Sequence, residues 1–388
     1  MSSSPSEAFF APCPRGLEPL LAEELATFGA QAIESVAGGV SFSGDWGACY
    51  RANLWSRIAS RVLWRVGAFD YANEAQLYAA ARAIDWPRLF TVDRSIRVNL
   101  TAQQSPLTSL EFATLRVKDA VCDRFRDATG RRPDVDRAAP EVRVHVFLEA
   151  ARGLLYLDTS GEPLFKRGWR AAEAEAPLRE NLAAGIVMLS GWTPEAPLVD
   201  PMCGGATILV EAAAMARGRA PGARREFAFE RLLAYDSALW QRLRGEAAQP
   251  AERAVARLEL FGSDWDPQAL DAARRNLAAA GVERWVRLER TDVLERAAPA
   301  PQGVLIANPP YGERIGARDE LAQFYPKLGD ALKKHFAGWR CHLFTADLRL
   351  PKLIRLTPSR RIPLYNGALE CRLYQFDIVA GSHRRVKT

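Results

Sequence analysis

Short apolar runs alternate with amphipathic segments through the second half of the chain. The runs that end at residues 200, 264, 291 and 307 are bounded by polar residues, Pro or Gly, which indicates buried strands. Between the second and third runs, Pro267 begins a segment with helical periodicity that extends to about residue 280, in keeping with the preference for Pro in a first helical turn. The alternation of strand and helix predicts an α/β domain with an open sheet.

The first half of the chain favours a smaller α+β arrangement. Residues 9–64 contain a strand, a helix at 17–28 and a strand around 38–42. Further along, the pattern predicts strands at 96–100, 142–149 and 154–158, with a helix at 114–129. The last two strands form a hairpin whose limits are marked by Gly153 and Gly161.

Length and composition narrow the class of protein. A chain of 388 residues is too long for one hydrophobic core, so we expect two or three domains. No apolar run approaches the length of a membrane span, and residues 1–7 lack the basic and apolar regions of a signal peptide. The six cysteines form no Cys-x-x-Cys pair, which predicts reduced thiols, no structural zinc or other metal, and a cytoplasmic protein.

The formal net charge is +6, and the excess of basic residues lies in the second half of the chain. Residues 1–180 hold 22 Lys/Arg and 23 Asp/Glu, whereas residues 181–388 hold 30 and 23. The first half must therefore contact any polyanion through local patches and not through bulk charge. The candidate phosphate-binding residues, for which a solvated surface is the alternative, are Arg131, Arg132, Lys166, Arg167, Arg170, Arg349, Lys352 and Arg360.

The most informative stretch is Asn308-Pro309-Pro310-Tyr311, which follows the apolar run 303–307. Ligands of open α/β sheets bind outside the carboxyl ends of the strands, so this turn is well placed for chemistry. The Asn308 side-chain oxygen and the Pro309 carbonyl can accept the two hydrogens of an exocyclic amine, and Tyr311 offers a face on which a base can stack. Two such acceptors turn the conjugated lone pair of the amine towards an electrophile. The alternative is a Pro-rich turn packed by a tyrosine.

Three further strand ends carry acids. The loop Asp200-Pro201-Met202-Cys203-Gly204-Gly205-Ala206-Thr207 joins a strand to a helix, whose N-terminus favours a negative group. Asp264 ends the next strand, where a carboxylate can accept hydrogen bonds from both ribose hydroxyls, with Trp265 beside it and Asp266 as the fallback. Asp292 follows the third strand and can bind an adenine amino group. Each acid taken alone could instead cap a helix or be a solvated loop residue.

Together these motifs resemble the class I S-adenosylmethionine-dependent methyltransferases that methylate amines. Within that class the chain is similar to the THUMP-containing RNA guanine-N2 methyltransferases, and in particular to large-subunit rRNA enzymes of the RlmL type, often described as N6-adenine DNA methylases. The resemblance covers nearly the whole chain and is carried by residues 14–18, 130–136, 166–170, 176–183, 200–204, 262–266, 308–314 and 366–376.

The resemblance implies four segments and a reaction. A ferredoxin-like unit at 1–66, a THUMP RNA-binding domain at 67–160 and a connector at 161–178 precede a Rossmann-like methyltransferase domain at 179–388, with a helical insertion at about 217–254. The implied reaction moves a methyl group from S-adenosylmethionine to the N2 amine of a guanosine in a 23S rRNA loop or bulge. The catalytic residues implied are Asn308, Pro309, Pro310 and Tyr311. The cofactor residues implied are Asp200, Pro201, Met202, Cys203, Gly204, Gly205, Thr207, Asp264, Trp265, Asp266, Asp292 and Asn308, and the basic residues named above are implied to bind RNA.

The sequence departs from the family at one position and leaves other functions open. The family usually has Gly-Ser-Gly-Thr where this chain has Gly204-Gly205-Ala206-Thr207, and an Ala with positive φ is strained by about 1 kcal/mol or more. The alternatives are adenine-N6 methylation of DNA or RNA, glutamine-N5 methylation of a protein, and an RNA-binding factor with an inactive core. The RNA-type first half argues against a DNA or protein substrate, and the retained acids and Asn308 argue against an inactive core.

Overall fold

The computed structural model describes residues 6–172, 178–249, 257–310 and 317–379, with only the backbone described for 317–320. These residues form two compact units. The first unit contains the described parts of Met1–Cys13, Glu18–Leu164 and Gly222–Ala248. The second unit contains the described parts of Pro14–Leu17, Phe165–Pro221 and Gln249–Thr388.

Residues 7–158 form one mixed sheet with helices. In chain order the elements are β1 (Glu7–Pro12), α1 (Glu18–Thr27), β2 (Gln31–Val36), β3 (Gly39–Gly44), α2 (Trp46–Trp55), β4 (Leu63–Asp70), α3 (Glu74–Ala83), β5 (Ile96–Gln103), α4 (Leu110–Thr129), β6 (Val142–Glu149) and β7 (Arg152–Asp158). The sheet order is β2-β3-β1-β4-β7-β6-β5, and the neighbouring strands are antiparallel except for the parallel pair β5–β6.

Helix α4 begins four residues earlier than the sequence pattern predicts. The Ser109 side chain accepts a hydrogen bond from the backbone N–H of Phe112, and this cap adds a first turn that the apolar periodicity does not show. The added turn leaves Leu110 and Phe112 exposed. The helix ends where the sequence predicts, because Gly130 takes the left-handed conformation with φ 74°.

The remaining elements follow in chain order. They are α5 (Glu180–Leu189), β8 (Leu198–Asp200), α6 (Thr207–Ala216), α7 (Ser237–Ala248), β9 (Leu260–Asp264), α8 (Pro267–Ala280), β10 (Val286–Arg290), β11 (Gly303–Ala307), α9 (Ala317–His335), β12 (Trp339–Thr345), α10 (Leu350–Leu353), β13 (Arg360–Asn366) and β14 (Leu369–Asp377). The strands from β8 onwards form a second sheet, in the order β10-β9-β8-β11-β12-β14-β13.

The second sheet has the strand order that creates a ligand site. The five strands β10, β9, β8, β11 and β12 are parallel, and β14 is antiparallel to both β12 and β13. From β8 the chain adds strands on one side as far as β10 and then crosses to the other side for β11. The order therefore reverses between β8 and β11, and ligands of such sheets bind at the carboxyl ends of the strands at this reversal.

Glycine allows the central strands to pack closely against the helix that follows β8. A Cβ atom on Gly262 would lie 2.6 Å from Leu209 of α6 and 2.7 Å from Leu288 of β10. Both distances are too short for a side chain, so Gly262 fixes how near α6 lies to β9. The N-terminus of α6 is thereby held beside the carboxyl end of β9.

Residues 222–248 pack with the first unit, although the sequence assigns them to an insertion in the methyltransferase domain. Phe229 stacks on Tyr50 of α2 with ring centroids 4.4 Å apart, and Trp240 of α7 meets the same ring edge-on at 5.8 Å. The Tyr50 hydroxyl accepts a hydrogen bond from the backbone N–H of Asp236 at 2.9 Å. The predicted insertion at about 217–254 contains helix α7, and its residues 250–254 lie outside the described residues.

Candidate active site

Four polar residues line one edge of the second sheet. Asp292, Asp264, Asp200 and Asn308 lie at or just after the carboxyl ends of β10, β9, β8 and β11, which are consecutive strands in the sheet. The register supports this row, because Asp200 is paired with Gly262 and Arg290 is paired with Asp264. The structure therefore brings together the residues that end four separate apolar runs in the sequence.

The loop from Asp200 to Thr207 is held against β9. The backbone N–H of Cys203 donates to the Ser263 carbonyl at 2.9 Å, and the N–H of Gly204 donates to the Asp264 carboxylate at 3.0 Å. Gly204 has φ 51°, and a Cβ at this position would meet no described atom within 4 Å, so the loop is open on that side. An open glycine at a helix N-terminus allows a ligand to approach the backbone closely.

Ala206 adopts the strained positive-φ conformation that the departure from the family sequence at this position predicts. Its φ is 62°, in the left-handed region that disfavours residues with a Cβ, and the residue is completely buried. Its backbone N–H donates to the Cys203 carbonyl at 2.7 Å, and its carbonyl accepts from Val210 in the first turn of α6. The loop thus has two left-handed residues, and only Gly204 adopts the conformation without strain.

Asp200 is the most strongly perturbed acid of this site. The residue is 2% exposed, and its carboxyl accepts one backbone hydrogen bond, from Met202 at 3.3 Å. Burial, together with the nearby charge of Asp264, raises the pKa of the Asp200 carboxyl to about 8. Burial also raises the pKa of the Cys203 thiol, which makes that residue an unreactive packing group.

Asp264 remains able to accept further hydrogen bonds. One carboxylate oxygen accepts from Gly204 at 3.0 Å and the other accepts from the backbone N–H of Asp266 at 3.1 Å. Each carboxylate oxygen has two lone pairs, and the side chain is only partly buried, so both oxygens have room for a second donor. Trp265, next in the chain, is 71% exposed and presents its ring to solvent.

The two other acids already have structural roles. Asp266 is the N-cap of α8 and accepts from the Gln268 backbone N–H at 2.9 Å. Asp292 is exposed, and its Oδ1 accepts from the Leu294 backbone N–H at 2.9 Å. Asp266 therefore agrees with the helix-cap alternative, whereas Asp292 is an exposed loop residue that closes a turn.

Asn308 has an unsatisfied acceptor at the strand-order reversal. Its side-chain oxygen is buried, and no donor among the described residues bonds to it. Pro309 is buried, and the Pro310 carbonyl accepts from the hydroxyl of buried Tyr325 at 3.2 Å, which fixes the turn. Tyr311, predicted to stack on a base, lies outside the described residues. A buried amide oxygen without a donor is costly, and this one is placed to accept an N–H from a ligand.

The structure corrects the prediction that Arg167 binds RNA. Its side chain is 3% exposed and forms an ion pair with Glu211 of α6, with Nε 3.4 Å from Oε1. Arg170 is also mostly buried, and it donates to Glu180 at 3.0 Å and to the Thr207 hydroxyl at 3.3 Å. An arginine that replaces its hydration with internal carboxylates supports the fold around α6, whereas a phosphate contact requires an exposed guanidinium.

The other predicted RNA-binding residues lie at the surface. Arg131 forms an exposed ion pair with Asp93 at 2.9 Å, and the exposed Arg349 pairs with the largely buried Asp347 side chain at 2.8 Å. Arg349 follows the carboxyl end of β12, on the same sheet edge as Asn308. The side chains of Arg132, Lys166, Lys352 and Arg360 are exposed. Arg360 differs in position, because it is the first residue of the outermost strand β13 and is paired with Gln375 near the carboxyl end of β14.

Sequence reasoning missed Asn276, which supports the cofactor loop predicted from the sequence. Asn276 is completely buried on α8, among the apolar positions Ala273 and Leu277, and donates to the Gly205 carbonyl at 3.0 Å. A polar residue on the buried face of an amphipathic helix was the available signal. Its partners lie far away in the sequence, so the pattern alone could not identify them.

The described residues were also compared with the requirements of a metal site and of a membrane-spanning helix. In residues 6–172, 178–249, 257–310 and 317–379, no group of three His, Cys, Asp or Glu side chains is arranged to hold a metal ion. The helices in these ranges are all too short or too polar to span a membrane. All six cysteines are buried and unpaired, as the sequence predicts.

Three family models match the chain. An RMKL-like methyltransferase domain matches residues 167–375, the RlmL ferredoxin-like domain matches residues 8–63, and a THUMP domain matches residues 71–158. Together with the two sheets, these matches confirm the predicted fold class, an α/β methyltransferase domain preceded by α+β ferredoxin-like and THUMP regions.

The chain is also similar to curated proteins and to a solved structure. It is 41% identical to "Ribosomal RNA large subunit methyltransferase K/L" of Aeromonas salmonicida, over 96% of this chain and 54% of that protein, and 42% identical to the protein of the same name from Syntrophotalea carbinolica, over 95% and 53%. The chain therefore spans about half the length of these relatives. The crystal structure of SMU.472 complexed with SAH has a TM-score of 0.87 and 30% identity, and the match covers 98% of this chain and 100% of that one.

Proposed function

The chain belongs to the family of RMKL-like methyltransferase domains, and on that premise we propose that it methylates the N2 amine of a guanosine in large-subunit rRNA, with S-adenosylmethionine as the methyl donor. The observation that carries the proposal is the buried Asn308 oxygen, which has no donor among the described residues and lies at the strand-order reversal. The names of the curated relatives support an rRNA substrate, and the THUMP match supports RNA as the partner.

The strand ends fit S-adenosylmethionine as the cofactor. SAH, the product that remains after methyl transfer, is bound in the related SMU.472 structure. In this chain Asp264 has acceptor capacity for the two ribose hydroxyls, and the exposed carboxylate of Asp292 can accept from the adenine amino group. The open side of Gly204 at the N-terminus of α6 suits the amino-acid end of the cofactor. The exposed ring of Trp265 can pack beside the adenine.

The protein's contribution to the chemistry is to place and polarise the target amine. Bound S-adenosylmethionine supplies an electrophilic methyl group on a sulfonium. The Asn308 oxygen accepts one N–H of the amine, the Pro309 carbonyl accepts the other, and the lone pair is thereby directed out of conjugation with the ring. The interaction strengthens as the nitrogen gains positive charge, so it lowers the barrier more than it tightens ground-state binding. The proton then leaves to water or to a carbonyl.

RNA capture divides between the two parts of the chain in this proposal. The THUMP-matching residues 71–158 supply phosphate and shape contacts, and the methyltransferase domain selects the base. The guanosine must leave its stack to reach Asn308, which costs least in a loop or bulge. Tyr311, the residue proposed to stack on the base, follows directly in the sequence. An rRNA substrate places the reaction in the cytoplasm.

Nucleoside analysis tests the proposal directly. The full chain is incubated with isotope-labelled S-adenosylmethionine and, separately, with unmethylated large-subunit rRNA and with DNA, and the digested nucleosides are identified by mass spectrometry. The expected product is N2-methylguanosine from rRNA alone, absent with Asn308→Ala. Labelled N6-methyladenine from DNA or RNA would replace the proposed base by adenine, and label in protein alone would overturn a nucleic-acid substrate.

Salt dependence provides a second test on the intact chain. Contacts to phosphates release counterions, so the affinity for rRNA should fall steeply between about 50 and 200 mM salt. Arg132→Ala should reduce the slope, whereas Arg167→Ala should not, since the Arg167 side chain is buried against Glu211. Binding that does not change with salt would contradict capture by phosphate contacts.

A further inference from the structure

We propose that Asn276 is a positioning residue that holds the loop 204–207 in its cofactor-binding conformation and couples it to residues 170–172. The inference rests on the proposed role of that loop in binding S-adenosylmethionine. Asn276 lies on α8 and does not belong to the row of acids at the strand ends. Its proposed role is to maintain the conformation of the loop.

The side chain of Asn276 uses its full hydrogen-bonding capacity to join two segments. Its amide nitrogen donates to the Gly205 carbonyl at 3.0 Å and to the Ala172 carbonyl at 3.1 Å. Its oxygen accepts from the backbone N–H groups of Ala171 and Ala172, both at 3.0 Å. Two donors and two acceptors are therefore all satisfied within a completely buried side chain.

The loop needs such a support because of its backbone conformation. Gly204 and Ala206 flank Gly205 with φ values of 51° and 62°. Ala206 is strained there, and a strained residue persists only when its surroundings fix it. The surroundings that fix this loop come from the β9–α8 unit, since Asp264 binds the Gly204 N–H and Asn276 binds the Gly205 carbonyl.

Arg170 in the connector also contacts the end of this loop. Arg170 donates to the Glu180 carboxylate at 3.0 Å, to the Leu178 carbonyl at 3.1 Å and to the Thr207 hydroxyl at 3.3 Å. Residues on both sides of 173–177 are thus tied to the start of α6. Asn276 and Arg170 together tie residues 170–172 and Leu178 to the loop, and the loop amides keep the orientation that a bound ligand meets.

Hydrogen exchange tests the positioning role without any ligand. The substitution Asn276→Leu keeps the size of the side chain and removes all four hydrogen bonds, and Asn276→Asp keeps the two acceptor bonds as a milder variant. Peptides that cover residues 200–210 should exchange at least several-fold faster in both variants, with the larger increase in Asn276→Leu. The matched control is Asn53→Leu, since Asn53 is also buried and bonds to Cys49, Thr159 and Ser160 within the first unit.

Cofactor affinity supplies the second readout, with SAH as the calorimetric probe. Loss of the Gly205 contact should weaken SAH binding roughly tenfold in Asn276→Leu, while Asn53→Leu lowers the melting temperature and leaves the affinity within twofold of wild type. Adding Ala206→Gly to Asn276→Leu should recover most of the lost affinity, because glycine adopts the left-handed conformation without strain.

The outcomes separate this inference from the proposed function. Unchanged exchange of residues 200–210 in Asn276→Leu overturns the positioning role, whether or not SAH binds. Weakened SAH binding that matches the loss in Asn53→Leu, or that Ala206→Gly does not restore, also overturns it, because a general loss of stability then accounts for the effect. Failure of the wild-type protein to bind SAH would instead reject the proposed cofactor, and the exchange experiment would still decide the role of Asn276.

Discussion

The chain buries one aspartate at the end of a strand in each unit, and the two have opposite surroundings. Asp158 ends β7 and Asp200 ends β8, and each follows an apolar strand and precedes a turn. Both residues are withdrawn from solvent, with 1% and 2% of their surface exposed. Each carboxyl therefore loses its hydration on folding, and the two differ in what replaces the lost water.

In the first unit, protein groups fully replace the lost hydration of the Asp158 carboxyl. Asp158 accepts from the backbone N–H groups of Ser160 at 2.8 Å and Gly161 at 3.1 Å, and its other oxygen pairs with Arg61 and lies 3.6 Å from His145. Burial alone would raise the pKa of the Asp158 carboxyl, but the neighbouring His145 and the positive charge of Arg61 outweigh it, and the pKa is lowered overall. The carboxylate is a structural anchor.

In the second unit, protein groups replace the lost hydration of the Asp200 carboxyl only in part. Asp200 accepts one backbone hydrogen bond at 3.3 Å, and burial raises its pKa to about 8. Asn308 shows the same contrast, because its buried oxygen has no donor among the described residues, whereas the Asn53 oxygen of the first unit accepts from Ser160 at 2.6 Å. Buried polar groups whose hydrogen bonds are satisfied stabilise a fold, and the unsatisfied Asn308 oxygen at the strand-order reversal is the one that we propose a ligand completes.

The largest expected effect falls on the unsatisfied acceptor. Asn308→Ala should lower single-turnover methylation of rRNA by about 10²–10³-fold at saturating cofactor, the range for removal of one preorganised polar group at a reacting centre. The affinity for SAH should change far less, because the Asn308 contact forms with the amine. Asn53→Ala is the control and should leave turnover of the folded protein unchanged. Wild-type turnover in Asn308→Ala would make the Asn-Pro-Pro-Tyr turn purely structural.

Substitution of Asp158, whose hydrogen bonds are satisfied, should lower the stability of the first unit. Asp158→Ala leaves Arg61 and two backbone N–H groups without their acceptor, and we expect a loss of about 2–4 kcal/mol in the free energy of unfolding of the first unit. The measurement is hydrogen exchange of peptides from β4 and β7 in increasing denaturant. SAH affinity should be unchanged, and an equal loss of SAH affinity would contradict the structural assignment of Asp158.

The next effect concerns the cofactor. Asp264→Ala should weaken SAH binding at least tenfold, since a charge-assisted hydrogen bond contributes about 1.5–3 kcal/mol. Calorimetry makes the measurement, and Asp271→Ala on the exposed face of α8 is the control. Asp266→Ala should mainly destabilise α8 by removal of its cap. A larger loss of affinity for Asp266→Ala than for Asp264→Ala would transfer the ribose contact to Asp266.

Stability against pH should sharpen the contrast between the two buried aspartates. An aspartate in the unfolded chain has a pKa of about 3.9, and burial raises the pKa of folded Asp200 to about 8. The folded state holds the extra proton between these values, so the contribution of Asp200 to stability falls as pH rises, by up to about 1.4 kcal/mol per pH unit. Asp158, with its lowered pKa, contributes stability above the unfolded pKa that is lost as pH falls.

The test is Asp200→Asn, which has no carboxyl to titrate. The free energy of unfolding of this variant, relative to wild type, should increase between pH 5 and pH 8, measured by urea denaturation at each pH. Asp158→Asn should lose most stability at neutral pH and little at pH 3. Parallel curves for wild type and Asp200→Asn would show that Asp200 is ionised in the folded protein.

The smallest effect compares the two turns themselves. The turn after Asp158 places Gly161 at φ 81°, and the loop after Asp200 places Ala206 at φ 62°. Ala206→Gly should therefore stabilise the second unit by about 1 kcal/mol, and Gly161→Ala should destabilise the first unit by a similar amount. Thermal unfolding of both variants makes the measurement. A destabilising Ala206→Gly would show that the Ala206 methyl group contributes more through packing than it costs in strain.

The sequence alone determined the elements and the candidate row of site residues. The limits of β6, α8 and β11 follow from apolar periodicity, a first-turn Pro and bounding Gly or Pro residues, all of which act over a few positions. Because parallel strands end at one edge, the residues after the apolar runs could be expected to meet. The methyltransferase family model matches residues 167–375, a range that contains these residues.

Only the tertiary structure decided which polar residues are satisfied and which are left for a ligand. Asp158 and Asp200 have similar local sequences, but Arg61 reaches Asp158 from nearly a hundred residues away in the chain. The same holds for Asn276 and the Gly205 carbonyl, for Arg167 and Glu211, and for residues 222–248, which pack with the first unit. Such partners are set by long-range packing, and a pattern read along the chain contains no information about distance in space.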